Sequence, residues 1–398
     1  MADALTLAGG VLNPSRPRAV EAGSVRLVRE RGDMAALLPQ WQDLEAADGQ
    51  AGLFQSPGWA SAIFDFEAGR GNTNFDPVIA TAWQGTDLVA LLPLERVSTG
   101  MRRVLVPLGH AFAQYSDLLI RPGTDGPLVL EQMVAALSAA VPADTLSFFK
   151  VRDGSSLSVA LPPERVVTGE EQGAPFVDLS GFADFAAYFH TIKAKTRKNM
   201  RNARNRLERD GAVHHLVAET AADQGAIIGR TLAGRAGRLK QQGLTSRAFR
   251  DGGFADFCAS LPGREGLSLL AFSLTHGDQP IAEQWGFVHG GQYYAYVASR
   301  DFAIAEESPG KLHLGEVIAA VQERGVQGCD LGVPAMPYKL TWATLTVPVR
   351  DHVLPLTLRG RLLVGLWDVR LRPLLKSVAM RLPPGLRTRL MGLVHHGH

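Results

Sequence analysis

The chain has 398 residues, 46% hydrophobic and 20% charged, the balance of a folded protein long enough for two domains and not of a disordered or fibrous one. No apolar run reaches the roughly 18 residues of a spanning helix, no secretory signal opens the chain, and the isolated Cys258 and Cys329 offer neither a disulfide framework nor zinc spacing, so a reducing cytoplasm is expected. The net charge of +2 hides two basic stretches, Lys193–Arg209 and Arg359 to the end, each with eight basic residues against one acid; the remainder carries 25 basic against 37 acidic residues, which predicts local anion contacts and no DNA-binding surface.

Residues 1–23, rich in Ala, Gly and Pro, read as a loose leader. A strand at Val25–Val28 and a helix at Met34–Leu44 follow. Phe54-Gln55-Ser56-Pro57 reads as a capped start with proline in the first turn of a helix carrying Trp59 and Phe64. Strands are predicted at 76–83, 87–96, 102–108 and 115–120, then a helix at 126–141 and a strand at Thr145–Phe149. The basic stretch forms a helix with Met200, Ala203 and Leu207 on a buried stripe and Arg197, Arg201 and Arg204 on another face. Helices near 221–242 and 252–261 lead to strands at 267–275, 280–288 and 292–299, the last two joined through Gly290-Gly291. A helix at 309–324 runs into a strand at Gly328–Leu331. Beyond Arg350 the character changes: Leu362, Leu363, Leu366, Trp367, Leu371, Leu374 and Leu375 interleave with Arg359, Arg361, Arg370, Arg372 and Lys376. A second basic segment spans Arg381–Val394. Such a basic amphipathic tail either lies on an anionic membrane surface or docks on its own domain.

The two halves repeat one order of elements, down to individual residues. Gly126-Pro127-Leu128-Val129-Leu130 matches Gly310-Lys311-Leu312-His313-Leu314, and Met133–Leu137 matches Val317–Val321, at the same offset of 184. Each helix then meets a strand with an aspartate at or beside it, Asp144 or Asp330. Tandem copies of one α/β unit are predicted.

Ser308-Pro309-Gly310-Lys311 is the strongest local signal. Serine is a preferred N-cap and proline fits the first helical position, while free N–H groups and the helix dipole favour an anion there. It is no Walker loop, because the first glycine is missing and Leu312 stands where Ser or Thr belongs. This start follows the strand at 292–299. The arrangement resembles the GNAT acyltransferase fold, and more closely its CelD-type (cellulose-biosynthesis acetyltransferase) branch, related to the FemAB aminoacyltransferases. The resemblance rests on Phe54-Gln55-Ser56-Pro57 with Trp59, Arg197-Lys198-Asn199 with Arg201 and Arg204, Ser308–Leu312, and Asp330-Leu331-Gly332 followed by Tyr338-Lys339. Two departures stand out. The loop Val333–Pro337 lacks the usual Gly and acidic residue, and the spaced glycines of the GNAT loop are reduced to Gly310.

The resemblance implies an α/β chain of two tandem GNAT-like domains, each a mixed twisted sheet flanked by helices: 24–170, degenerate and on the acceptor side, and 171–350, with the acyl-CoA site, followed by the tail at 351–398. Ser308, Gly310, Lys311 and Leu312 would hold the pyrophosphate of acyl-CoA, with no metal. Transfer to an amine needs a proton acceptor, stabilisation of the developing oxyanion and alignment of the reactants. Glu283 is the first candidate for the base. Tyr338 and Lys339 would serve the leaving thiolate or the oxyanion, and Asp330 would orient a neighbour. Arg197, Arg201 and Arg204 would grip acceptor phosphates, and His110, Gln114, Tyr115 and Asp117, with Tyr296, would line the acceptor cleft. The expected product is an N-acylated amino sugar of an exported polysaccharide or its lipid-linked precursor, made in the cytoplasm or at the inner membrane face. Three alternatives stay open: long-chain acylation of a lipid amine such as a sphingoid base, a non-catalytic scaffold in a polysaccharide-synthesis complex, and transfer from aminoacyl-tRNA.

Overall fold

The computed structural model describes residues 23–99, 102–241, 253–301, 309–371 and 374. Nearly all of the leader, Ser308 and the segment Arg381–Val394 lie outside the described residues.

The first half opens with β1 (Ser24–Val28) and α1 (Arg31–Asp48), whose Met34, Leu37, Trp41 and Leu44 recur at helical spacing and are buried. In α2 (Pro57–Gly69) the Ser56 side chain accepts the Trp59 N–H at 3.0 Å and proline sits in the first turn, as the local sequence predicts. An antiparallel run follows, β2 (Pro77–Gln84), β3 (Asp87–Thr99) and β4 (Arg102–Pro107), with the two-residue β5 (Leu119–Ile120) beside β3. Then come α3 (Gly126–Ala140), β6 (Thr145–Arg152) parallel to β4, α4 (Ser156–Ala160) and β7 (Val166–Asp178).

Two linking helices, α5 (Phe185–Thr191) and α6 (Ala194–Asp210), precede a second round of the same order. It consists of β8 (Val213–Val217), α7 (Ala221–Gln241), α8 (Gly253–Ala259), β9 (Ser268–His276), β10 (Gln279–His289), β11 (Gln292–Arg300), α9 (Pro309–Glu323), β12 (Gly328–Asp330) parallel to β11, α10 (Pro337–Leu340) and β13 (Leu345–Pro355). The fold is thus two tandem GNAT-like units. The helix α11 (Leu358–Leu363) and a π-helical stretch to Leu371 close the described chain.

The thirteen strands among the described residues join one sheet in the order β1-β2-β3-β4-β6-β13-β7-β12-β11-β10-β9-β8, with β5 off the path. The halves exchange their last strands: β13 lies against β6 of the first half and β7 against β12 of the second, while β7 and β13 pair with each other. One sheet face is covered by α1, α2, α7 and α8 around Trp41, Trp59, Phe257 and Trp285. The opposite face is covered by α3 and α4 in the first half and by α5, α6 and α9 in the second.

Three local expectations change. The strand predicted at 115–120 is reduced to Leu119–Ile120, because residues 108–118 leave the sheet edge and cross to the second half. Asp144 and Asp330 are not equivalent. Asp144 precedes β6 and accepts the Arg103 N–H, whereas Asp330 ends β12. The strands β7, β8 and β13 and the helix α5 were not foreseen from local pattern. As for the tail, Gly360 packs so closely on the Asp144 carbonyl that a Cβ would lie 1.9 Å from its oxygen. Its start is docked, while Leu358, Leu362 and Leu366 remain exposed at 78%, 75% and 58%.

Candidate active site

β11 and β12 pair only over Gln292–Tyr294 and Gly328–Asp330, then part. On β11 the register slips by one residue, so that Tyr296 is bulged out of its ladder with β10. The carbonyls of Ala295 and Tyr296 accept the Gln114 side-chain amide at 3.2 and 3.3 Å. Across the gap, Gly332 has φ +70° and offers its carbonyl to Lys339 Nζ at 2.8 Å.

The helix α9 starts at this gap. Gly310 lies against the Arg300 side chain, where a Cβ would sit 3.1 Å from Cδ, and Lys311 follows, its pKa lowered by burial. Arg235 and Arg238 of α7, together with Arg300, act electrostatically on the Tyr338 hydroxyl. Burial and the charge of Arg235 pull the Lys339 ammonium down to about 8. Arg235, Arg238 and Arg300 thus lie within electrostatic reach of the Tyr338-Lys339 pair, and Arg300 also lies against the start of α9, beside Lys311. Such a concentration of positive charge favours anions.

Asp330 is fully buried beneath the gap. It accepts from the Tyr115 hydroxyl at 2.9 Å and the Gly332 N–H at 2.7 Å, and it pairs with Arg152. The Arg152 guanidinium also lies over the Tyr115 and Phe176 rings, 5.2 and 5.7 Å from their centroids. With its oxygens so occupied, Asp330 orients its neighbours. Glu283 is buried on the α7 face of β10, and both its oxygens accept from Arg230 at 2.6–3.1 Å.

On the face carrying α1 and α2, a cavity of about 680 Å³ spans the central strands. Its wall includes Glu45, Phe54, Gln55, Tyr115, Asp117, Arg152, His289 and Tyr294, so both halves contribute. The Phe54–Pro57 motif builds this wall. Phe54 packs edge-on against Trp59 at 4.9 Å, and the Gln55 amide donates to the Tyr115 carbonyl at 3.1 Å. Asp117 accepts the N–H groups of Leu118 and Leu157, both at 2.8 Å, yet burial still pushes it up to about 6. Gln114 and Tyr115 stand between cavity and gap: the first reaches into the gap, the second lines the cavity.

Of the residues singled out from sequence, Gly310, Lys311, Tyr338 and Lys339 converge at the gap, and Tyr115 and Asp117 meet at the cavity. Leu312 is buried in the core under α9. Tyr296 sits in an aromatic cluster with Trp285 and Phe287, its hydroxyl donating to the Phe112 carbonyl at 2.6 Å. His110 bonds Glu95 at 2.8 Å. Arg197 donates to the His190 and Ile192 carbonyls at the end of α5, Arg204 pairs with Glu208 and with Glu316 of α9, and Arg201 is exposed. These three stand on the sheet face opposite the cavity. Glu45, His289, Arg152, Arg235, Arg238 and Arg300 were missed, for none sits in a recurring motif and their meeting depends on the fold. Among the described residues no cluster of His, Cys, Asp or Glu could hold a metal, and no helix is long and apolar enough to cross a membrane.

Solved structures share the fold. The C-terminal domain of a putative lysylphosphatidylglycerol synthetase from Agrobacterium fabrum superposes with a TM-score of 0.50 at 13% identity, covering 84% of this chain and 96% of that one. FemX superposes with a TM-score of 0.56 at 9% identity, over 82% and 98%. A tandem GNAT protein from the clavulanic acid biosynthesis pathway gives 0.46 at 12% identity, over 84% and 99%. No curated protein matches the sequence. Residues 194–340, which hold the strand gap, the start of α9 and the Tyr338-Lys339 pair, match the family described as an acetyltransferase (GNAT) domain.

Proposed function

We propose that the protein is an N-acyltransferase of the CelD-type branch that moves an acyl group from acyl-CoA to an amine, the acceptor being an amino sugar of an exported polysaccharide or its lipid-linked precursor. The parting of β11 and β12 beneath a cationic helix start carries this reading. An acyl-CoA holds its phosphates at one end and its thioester at the other. The cations suit the phosphates, and the gap leads from them toward the carboxylate-lined cavity. In this reading Lys339 protonates the departing thiolate, with Tyr338 beside it. Glu283 fixes Arg230 and so holds α7, with Arg235 and Arg238, against β10. The exposed Leu358, Leu362 and Leu366 beside Arg361 support contact with an anionic membrane surface, which suits a lipid-linked acceptor and action at the inner face of the membrane.

Thermal-shift titration with acetyl-CoA, a long-chain acyl-CoA and free CoA tests the donor. Stabilisation by any of them is expected, since a ligand bound only to the native state raises its midpoint. No stabilisation by all three would overturn the acyl-CoA reading. A marked preference for the long-chain donor would move the acceptor toward a lipid amine.

A further inference from the structure

We infer that the cavity between the halves binds the acceptor as a primary ammonium on a hydroxylated, uncharged body of amino-sugar size, and that Glu45, backed by His289, takes its proton. This rests on the acyl-transfer reading above and adds the acceptor site and the base.

The two sides of the strand gap have opposite charge. Arg300 and Lys311 stand at the start of α9 and Lys339 at the gap, whereas the cavity wall carries the carboxylates of Glu45, Asp117 and Asp153, and its one arginine, Arg152, is committed to Asp330. A cation is therefore drawn to the cavity and a polyanion to the gap. The volume of about 680 Å³ is that of an ordinary small-molecule site and admits a sugar. Gln50 and Gln292, with the side-chain carbonyl of Gln55, give the remaining wall amide groups that suit a sugar's hydroxyls. The apolar part of the wall is broken up among Ala46, Ala51, Phe54, Tyr115, Tyr294 and Val347.

Glu45 is placed to act as a base. It lies in the last turn of α1, and its Oε1 is buried without a hydrogen-bond partner, 3.5 Å from His289 Nε2. A buried carboxylate oxygen left unbonded is costly unless a ligand supplies the donor. His289 is fixed by the turn that follows it: Gly290 and Gly291 have φ of +54° and +72°, the pair of left-handed positions that a tight hairpin needs. Burial pushes Glu45 up to about 7 and lowers His289, so the pair stays uncharged or singly charged near neutrality. The other charged groups on the cavity wall are Asp117, on which Asp48 of α1 acts, and Arg152 and Asp153 at the end of β6.

The step balances as follows. One proton of the ammonium passes to the Glu45 carboxylate, and the freed nitrogen pair forms a C–N bond to the thioester carbon. The C–S bond breaks, the thiolate takes a proton from the Lys339 ammonium, and the nitrogen's second proton restores that ammonium. The amide and the free thiol leave, and Glu45 returns its proton to water through His289.

The full-length protein, Glu45→Gln and Glu45→Asp are to be titrated with glucosamine, N-acetylglucosamine and sphingosine without donor, then assayed with glucosamine and acetyl-CoA across pH. Wild type is expected to bind glucosamine at least ten-fold better than N-acetylglucosamine. Glu45→Gln should lose that preference and about 100-fold of kcat, together with the acid limb of the pH profile, while donor binding and the unfolding midpoint stay put. Glu45→Asp should recover part of the rate and the limb. A Glu45→Gln enzyme with wild-type rate and pH profile would overturn the inference while leaving the acyl-CoA reading intact. Equal binding of glucosamine and N-acetylglucosamine by wild type, or a preference for sphingosine, would overturn it too. Failure of every donor to bind would strike the acyl-transfer reading instead, and the donor-free titrations would still judge the cavity.

Discussion

The starts of α3 and α9, equivalent in sequence and in topology, have opposite chemistry. At α3 the cap is Asp125, whose carboxylate accepts the Leu128 N–H at 3.0 Å, and Pro127 stands where the second copy has Lys311. An acidic cap answers the helix dipole internally and repels an incoming anion. The parallel pair beside it, β4 with β6, is sewn up further along, where the Ser116 hydroxyl donates to the Phe149 carbonyl at 2.7 Å and accepts its N–H at 2.9 Å. At α9 the neighbours are Arg300, Lys311 and Lys339, and the parallel pair stays parted. One scaffold, used twice, is closed and acid-capped in one copy and open and cationic in the other. In the proposed reaction this leaves the first half to present the acceptor and the second to hold the donor.

The comparison can be broken most severely by separating the halves. Expressed alone, residues 1–162 should fail to fold, because β6 then lacks β13 and exposes a long central edge. Co-expression with residues 163–398 should restore soluble, structured protein by circular dichroism. A well-folded isolated fragment would show that the exchanged strands are dispensable.

Next in size is the joint between the halves. Asp330→Ala leaves Arg152 without its buried partner and should cost about 3–5 kcal/mol in urea denaturation. Loss of less than 1 kcal/mol would mean that the Tyr115–Asp330–Arg152 contact does not hold the halves together.

Lys339→Ala should lower kcat about 100-fold with little change in donor affinity, the usual scale for removing one proton donor at a reacting centre. Its sign with pH follows from the depressed value. The ammonium exists below about 8, so wild-type activity should fall as pH rises through that value. Activity should also fall as pH drops through about 7, where Glu45 becomes protonated. An alkaline limb that persists in Lys339→Ala would assign it to another group.

The smallest effect sharpens the contrast between the helix starts. Lys311→Glu should weaken acyl-CoA binding about ten-fold, which is about 1.4 kcal/mol. Asp125→Lys should leave it unchanged, as read by titration calorimetry. Equal effects would mean that both starts meet the donor.

Much of the local structure was legible in the residues. The capped start at Ser56-Pro57, the buried stripe Met200, Ala203 and Leu207, the 184-residue repeat and the helix start at Pro309-Gly310-Lys311 follow from propensity, spacing and backbone chemistry acting over a few residues. The strands β7 and β13 were not legible. Their segments, VVTGEEQGAPFVD and LTVPVRDHVLP, are interrupted by Gly, Pro and charge, and become strands because they complete each other and the opposite half. The cavity was half legible. Phe54–Pro57, Tyr115 and Asp117 stood out, whereas Glu45 looked like one more acidic residue on an amphipathic helix. By itself the sequence determined most of the elements, the repeat and the helix start with its Lys311, since these depend on neighbours in the chain. Only the tertiary structure decided that the last strands cross over, that the second gap stays open, and that Glu45 meets His289 across 244 residues. Those depend on burial and on pairings between distant segments, which no local pattern encodes.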